Sequence, residues 1–148
     1  EKMLKMIIIH DLVEAYATDI PAFDTMNNAE AKQLKMENEI RAIEKIRDLM
    51  GGKTGQLFYD LWFEFEHKAT YEAKVANALD KLEAQIQHNE ADIETWLPIE
   101  FEMLFMLDKH TDFEPVLTAF KNLIVEEGIC KLENAGIEVN QVKPSTYM

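Results

Sequence analysis

Cysteine is nearly absent from this chain, since Cys130 is the only one among its 148 residues. A single cysteine cannot form a disulfide within the chain, which favours a reducing compartment, and we expect a cytoplasmic protein. Glycine and proline are also scarce, with five and four residues, and no glycine-rich phosphate-binding loop is present. The sequence therefore excludes a disulfide-stapled domain and a low-complexity chain.

Basic residues are few as well: 15 lysines and arginines stand against 28 aspartates and glutamates, so the net charge is −13. So acidic a chain is poorly suited to bind nucleic acid polymers or anionic membranes. No apolar run approaches the ~20 residues of a membrane span, and we expect no signal peptide. A hydrophobic content of 47% over 148 residues is enough for one domain with a real core.

Helical periodicity dominates from end to end, and no second strand is available to pair with the apolar residues 6–9, so we predict an all-α fold. The first helix is predicted over residues 2–18. Asn27 and Thr54 are predicted to cap the second and third helices, and the second is predicted to stop at Gly51. Later helices are predicted at residues 70–89, 98–107 and 113–135, with a tail at residues 137–148 lying on the body of a single domain, 1–148.

Apolar residues at helical spacing predict which helix faces are buried. They are Leu34, Ile40, Ile43, Ile46 and Met50 in the second helix, Leu57, Phe58, Leu61, Trp62 and Phe65 in the third, and Val75, Leu79, Leu82 and Ile86 in the fourth. The aromatic residues of the third helix are interpreted as core rather than as a cofactor site. The charged positions of the second helix predict a solvated face, although Glu39 could turn inward.

The most informative segment is His10 to Pro21, which reads HDLVEAYATDIP. It follows an almost unbroken apolar run at residues 3–9, and a helix so apolar is predicted to be buried together with His10 and Asp11. A buried, ionised carboxylate costs several kcal/mol, roughly, unless a cation or hydrogen-bond donors compensate it. Because the neighbours of Asp11 one turn away are apolar or acidic, a divalent metal ion bound by both side chains is the simplest compensation. The alternative is a hydrogen-bonded core pair, which is the more frequent arrangement in general.

Two further acids favour the metal site over the packing pair. Glu14 lies four residues after His10 and three after Asp11, so the three side chains share one helix face. Asp19 falls where the helix should end, because Pro21 disfavours a helical residue before it. Three acids and a histidine within ten residues are more than a packing pair needs.

Asp80 is another unusual acid, since it lies in the middle of the predicted fourth helix, where aspartate is a poor helix former. The residues three and four positions away from it are not basic, so we expect no surface ion pair along the helix. It adjoins Leu79 of the predicted buried stripe and can therefore point toward the core. The alternative, a solvated aspartate beside Lys81, is equally compatible with the periodicity.

Two segments of the chain carry a resemblance to a known family. HDLVEAYATDIP, followed later by LWFEFEHKATYEAKVANALDKLE, is similar to the HD-domain metal-dependent phosphohydrolases, above all to the branch that contains bacterial 5′-deoxynucleotidases. The HD dipeptide alone occurs by chance, whereas the combination at this separation is fairly specific. The resemblance covers residues 3–89 and implies an all-α HD-domain helical bundle.

The resemblance implies a role for each candidate site residue. His10, Asp11 and Asp80 match three of the four ligands that hold one divalent metal ion in the family, which could be Mn, Co, Mg, Fe, Ni or Zn. The fourth ligand is a histidine on an earlier helix and has no counterpart here. We expect either that the N-terminal helices of the domain are missing from this sequence or that the ligand has been lost. Glu14 matches the residue that activates water or protonates the leaving group, and Asp19 matches the acid that contacts the sugar.

The sequence therefore predicts a metal-dependent phosphohydrolase that acts on a small phosphomonoester, with deoxynucleoside 5′-monophosphates as the expected substrates. A guanosine-tetraphosphate hydrolase is disfavoured because Ala15 stands where its motif has a second acid, and cyclic-nucleotide phosphodiesterases need more histidines than the four present. The alternative from another class is a non-catalytic helical module that keeps the fold without the metal. We expect a homodimer with two-fold symmetry, since the family is often dimeric.

Overall fold

The computed structural model describes residues 1–17 and 28–143, and all regular secondary structure within these residues is helical. The all-α prediction is thereby confirmed. The helices are α1 Lys2–Ala17, α2 Ala29–Met50, α3 Gly52–Glu66, α4 Tyr71–Glu90, α5 Pro98–Met103, α6 Asp108–Thr111, α7 Pro115–Asn134 and α8 Val139–Val142, with a 3-10 turn at Ile93–Thr95. None of the helices in the described ranges is long and apolar enough to cross a membrane.

The start of α2 and its junction with α3 are set by local backbone chemistry. The side chain of Asn28 accepts a hydrogen bond from the Ala31 amide at 3.0 Å, so the cap lies one residue after the predicted Asn27. The chain leaves α2 at Gly51 with a φ of +62°, a conformation that favours glycine, and α3 begins immediately afterwards at Gly52. The prediction that Thr54 caps this helix is therefore wrong.

The α2–α3 corner is tight. A β-carbon placed on Gly55 would overlap the backbone carbonyl oxygen of Arg47 and lie 3.0 Å from its carbonyl carbon. Only the missing side chain of Gly55 allows the two backbones to approach so closely. The corner thereby fixes the position of α3 against α2.

The chain divides into two compact units, residues 1–77 and 78–148, with the boundary inside α4. The core of the first unit joins side chains from four helices. It consists of Met6, Ile9, Val13, Ala17, Ala42, Ile43, Ile46, Leu61, Trp62, Phe65, Ala73 and Ala76. The interpretation of Trp62 and Phe65 as core is confirmed, because both are 1% exposed.

Three predicted core residues are exposed. Leu34, Met50 and Leu57 are 51%, 50% and 45% exposed. The buried part of α2 is confined to its central turns, from Glu39 to Ile46, and the first two of these residues lie outside it. Periodicity identifies a face of the helix but not how far along that face the packing extends.

The second unit has a smaller core of Trp96, Leu104, Phe105 and Leu132. Ile137, Val139 and Val142 pack against it, so the described part of the predicted C-terminal tail lies on this core. The indole nitrogen of Trp96 donates to the His88 carbonyl oxygen at 2.8 Å, which connects α4 to this core. The helix predicted at residues 98–107 ends at Met103, and a separate short helix, α6, follows.

Candidate metal centre

Helix α1 is packed on one side only. Met6, Ile9, Val13 and Ala17 are buried at helical spacing. On another face, Leu4 and Ile8 are each 65% exposed, so the expectation that this apolar helix is buried holds for only one of its faces. The apolar run supplies more apolar surface than the described neighbours of α1 cover.

This asymmetry separates His10 from Asp11. The His10 side chain is 14% exposed at the edge of the buried face, whereas the Asp11 side chain is 65% exposed. The prediction that both are buried is therefore wrong for Asp11, because successive residues on a helix point about 100° apart. The carboxylate of Asp11 remains accessible to solvent, so it pays no desolvation penalty that a metal ion would have to compensate.

The structure nevertheless brings the three predicted ligands together. His10, Asp11 and Asp80 each offer one ligand atom, and these atoms all lie within 4.8 Å of one another. Two ligands that are each about 2.0–2.3 Å from one ion are separated by at most about 4.6 Å. Asp11 Oδ1 lies 3.4 Å from His10 Nδ1, close to the separation of about 3.4 Å expected for two ligands of a tetrahedral ion. The arrangement requires only small side-chain movements to surround an ion.

Asp80 combines the two alternatives that its sequence position left open. Its side chain is 21% exposed and belongs to the group around His10. It also forms an ion pair of 2.8 Å with Lys81, so the expectation that it makes no ion pair along its helix is wrong. The lysine is the adjacent residue and can swing away into solvent, because its own side chain is 43% exposed.

The imidazole of His10 is surrounded by carboxylates. Its Nε2 lies 3.8 Å from Glu14 Oε1 and 3.8 Å from Glu66 Oε1. The ring packs against Phe65 with a centroid distance of 4.6 Å. Glu14 therefore lies beside His10 as the sequence predicts. Glu66 was missed, although it follows Phe65 of the predicted core stripe and lies within the segment that carries the family resemblance.

Glu39 turns inward, as its sequence position had allowed. It is 8% exposed, and burial raises the pKa of its carboxyl group. The negative charges of Glu66 and Glu14 raise this pKa further, while Lys35, whose Nζ lies 3.8 Å from Glu39 Oε1, and His10 lower it. Carboxyl groups from α1, α2 and α3 thus interact with one another in the neighbourhood of one histidine.

The C-terminal end of α3 is tied to α1 near this group. Lys2 forms an ion pair of 2.5 Å with Glu64, and the hydroxyl of Thr70 donates to the same carboxylate. Thr70 in turn accepts from the Ala73 amide at the start of α4. These contacts position the last turn of α3 relative to the helix that carries His10.

The predicted sugar-contacting Asp19 lies outside the described residues.

The helical fold agrees with the sequence comparisons. The family model described as "HD domain" matches residues 1–120, and the chain belongs to this family. Among curated proteins, the chain is 35% identical over 86 residues to 5′-deoxynucleotidase HDDC2 of Dictyostelium discoideum, covering 58% of this chain and 43% of that protein. The identity to 5′-deoxynucleotidase HDDC2 of Danio rerio is 34% over 90 residues, covering 61% and 43%, and to that of Homo sapiens 28% over 90 residues, covering 61% and 42%.

The chain thus spans less than half the length of these relatives. No solved structure matches it significantly. The family resemblance stated from the two sequence segments is confirmed by the family match.

The donor set suits a divalent metal ion. An imidazole and two carboxylates are ligands that zinc, manganese, cobalt and iron accept, and their two negative charges complement a divalent cation.

Proposed function

We propose that this protein is a metal-dependent phosphomonoesterase that hydrolyses deoxynucleoside 5′-monophosphates to deoxynucleosides and phosphate. The convergence of His10, Asp11 and Asp80 is the observation that carries the proposal. The names of the relatives, which are 5′-deoxynucleotidases, support the choice of substrate.

A divalent ion held by these three residues would polarise a phosphoryl oxygen and lower the pKa of a bound water. Glu14 lies beside His10 on the same helix, and its side chain is 33% exposed, so it can reach both the site and the solvent. In the proposed reaction its carboxylate accepts a proton from the attacking water or returns one to the 5′-oxygen of the leaving group. Asp19 is proposed to accept a hydrogen bond from a sugar hydroxyl.

The proposal is tested by phosphate release from deoxynucleoside monophosphates. The protein is assayed after metal removal and again with added Mn²⁺, Co²⁺ or Mg²⁺, and Asp11→Asn is measured in parallel. We expect metal-dependent turnover in the wild type and loss of both metal binding and turnover in Asp11→Asn, because the variant lacks a charged ligand. A folded wild-type protein that releases no phosphate with any of these metals contradicts the proposal.

A non-catalytic HD-fold interaction module is the second candidate. It is favoured by the ion pair between Asp80 and Lys81, which occupies one predicted ligand, and by the exposure of Asp11. Such a module would act through its acidic surface. Metal binding separates the candidates, because the module has no need of an ion.

We propose a homodimer, which is supported by exposed apolar residues such as Leu4 and Ile8 on α1 and Val116 and Leu123 on α7. Light scattering at micromolar concentration that gives the mass of a monomer would contradict it.

The single cysteine supports a cytoplasmic location. The net charge of −13 supports a small nucleotide, rather than a nucleic acid polymer or a membrane, as the partner. That residues 1–148 form a single HD domain stays a prediction.

A further inference from the structure

We propose that Glu66 is a positioning residue for His10. Its carboxylate accepts a hydrogen bond from the Nε2–H group of the imidazole and thereby holds the ring with Nδ1 on the side of Asp11. The inference deepens the proposed function, because it takes His10 as a metal ligand. The proposed hydrogen bond does not require the metal, so it can be tested in the metal-free protein.

The positions of the two ring nitrogens carry the argument. Nδ1 lies 3.4 Å from Asp11 Oδ1, the neighbouring predicted ligand. Nε2 lies 3.8 Å from Glu66 Oε1, so a shift of about 1 Å brings the pair to the ordinary N–H···O distance of about 2.9 Å. Nδ1 is thus the nitrogen that faces the predicted ligand Asp11, while Nε2 faces Glu66 and Glu14. Metal-bound histidines in proteins commonly donate their second N–H group to a carboxylate in this way.

Glu66 is held more firmly than a carboxylate on a free surface. The preceding residue, Phe65, is 1% exposed and packs its ring on the imidazole at 4.6 Å. The same turn of α3 is fixed to α1 by the ion pair between Lys2 and Glu64. A single turn of helix thus places the Phe65 ring against the imidazole and the Glu66 carboxylate 3.8 Å from its Nε2.

The location of Glu66 is otherwise unfavourable. It is the last residue of α3, where a negative charge opposes the helix dipole. Its charge also raises the pKa of the buried Glu39 carboxyl, which is a repulsive interaction. A partner that favours a carboxylate here compensates for both effects, and the imidazole of His10 is placed to be that partner.

Glu14 is equally distant from Nε2, but it is assigned a different task. It belongs to the same helix as His10, four residues later, so it moves with the histidine and cannot fix the ring relative to the core. Glu66 comes from a second helix and can. The proposal therefore separates a positioning carboxylate, Glu66, from a proton-transferring one, Glu14.

The test compares Glu66→Leu, which removes the acceptor, with Glu66→Gln, which keeps an acceptor oxygen. Glu44→Leu is the matched control, because Glu44 is an exposed glutamate on α2. The first readout is the exchange of the His10 Nε2–H proton with water, measured by NMR on the full chain without metal. Its resonance is assigned by its loss in His10→Gln. The second readout is the dissociation constant of Mn²⁺, measured by calorimetry.

We expect a protected Nε2–H proton in the wild type, Glu66→Gln and Glu44→Leu, and at least tenfold faster exchange in Glu66→Leu. Mn²⁺ should bind about 10–100-fold more weakly to Glu66→Leu. The proposal is overturned if Glu66→Leu and wild type share the same exchange rate, or if Glu66→Gln and Glu66→Leu lose protection equally. If Glu66→Leu does not fold, the exchange rate of the wild-type Nε2–H proton is the test, and an unprotected proton overturns the proposal. A wild type that binds no Mn²⁺ but protects Nε2–H refutes the proposed metal site and leaves the hydrogen bond standing.

Discussion

The acidic side chains around His10 differ in exposure, and this difference assigns them different tasks. Asp11 and Glu14 are 65% and 33% exposed at the side chain, while Glu39 is 8% exposed as a residue. Solvated carboxylates can bind an ion or exchange protons with water without a large desolvation penalty. A buried carboxylate affects stability and local electrostatics instead.

Glu14→Gln tests the proton-transfer role. The variant should bind Mn²⁺ with the affinity of the wild type and turn over deoxynucleoside monophosphates about 10²–10⁴-fold more slowly, because a positioned acid or base is lost while the predicted ligands remain. Calorimetry and phosphate release measure the two quantities. Equal turnover in Glu14→Gln and wild type would leave the enzyme standing but remove Glu14 from its mechanism.

Glu39→Gln tests the effect of a buried carboxyl group on stability. Burial, followed by the charge of Glu66, raises the pKa of Glu39 in the folded state above its ordinary value of 4.5. Below pH 4.5 the group is protonated in both states, so its full contribution to stability is present. As the pH rises above 4.5, the unfolded state releases this proton while the folded state still holds it. Stability is therefore lost until the pH has passed the raised folded pKa.

The free energy of unfolding should therefore be higher for Glu39→Gln than for wild type at neutral pH. The difference should shrink as the pH falls toward 4.5 and be smallest below that value. Urea denaturation at several pH values measures it, and Glu44→Gln, an exposed glutamate on the same helix, serves as the control. A difference that is independent of pH would show that packing rather than charge separates the proteins.

At the scale of the helices, the sequence pattern predicts existence and type more reliably than extent. The long helices α1, α2, α4 and α7 were all predicted with nearly their observed bounds, because caps, glycines and prolines mark their ends. The predicted fifth helix ends early at Met103. The exposed face of α1 could not be predicted, since burial depends on which other helices pack against it.

The same limit applies to the candidate site. His10, Asp11 and Asp80 could be found from residue type and family resemblance, and the structure brings their side chains together. Glu66 could not be assigned from local spacing, because 56 residues separate it from His10 and only the packing of α3 on α1 joins them. Helical periodicity carries no information about such long-range neighbours.

Gly55→Ala tests the corner that places α3. A β-carbon at this position would overlap the Arg47 carbonyl oxygen, and the backbone cannot yield as a flexible side chain could. We expect a loss of about 1–3 kcal/mol in the free energy of unfolding, as for an overpacked core. Lys53→Ala, an exposed position in the first turn of the same helix, is the control in urea denaturation and should change little. An unchanged stability of Gly55→Ala would mean that the two helices are farther apart.

For the whole molecule, an excess of acidic groups sets the conditions for metal binding. The net charge of −13 attracts cations in general, so weak binding of divalent ions to the surface is expected in any case. A specific site has to be distinguished from this background by its dependence on one side chain. The exposure of Asp11 makes that comparison clean, because its substitution should not disturb the core.

Metal-linked thermal stability makes the distinction. An ion that binds only the folded state stabilises it by about 2.7 kcal/mol when its concentration is 100 times the dissociation constant. For a chain of this size, such a gain raises the melting temperature by about 5–10 °C. We expect Mn²⁺ or Co²⁺ to produce this shift in the wild type and not in Asp11→Asn, whose melting temperature without metal should stay close to that of the wild type. Calorimetric scans with and without a chelator measure both proteins. An equal shift in the two would mean that the ions bind the acidic surface rather than the group formed by His10, Asp11 and Asp80.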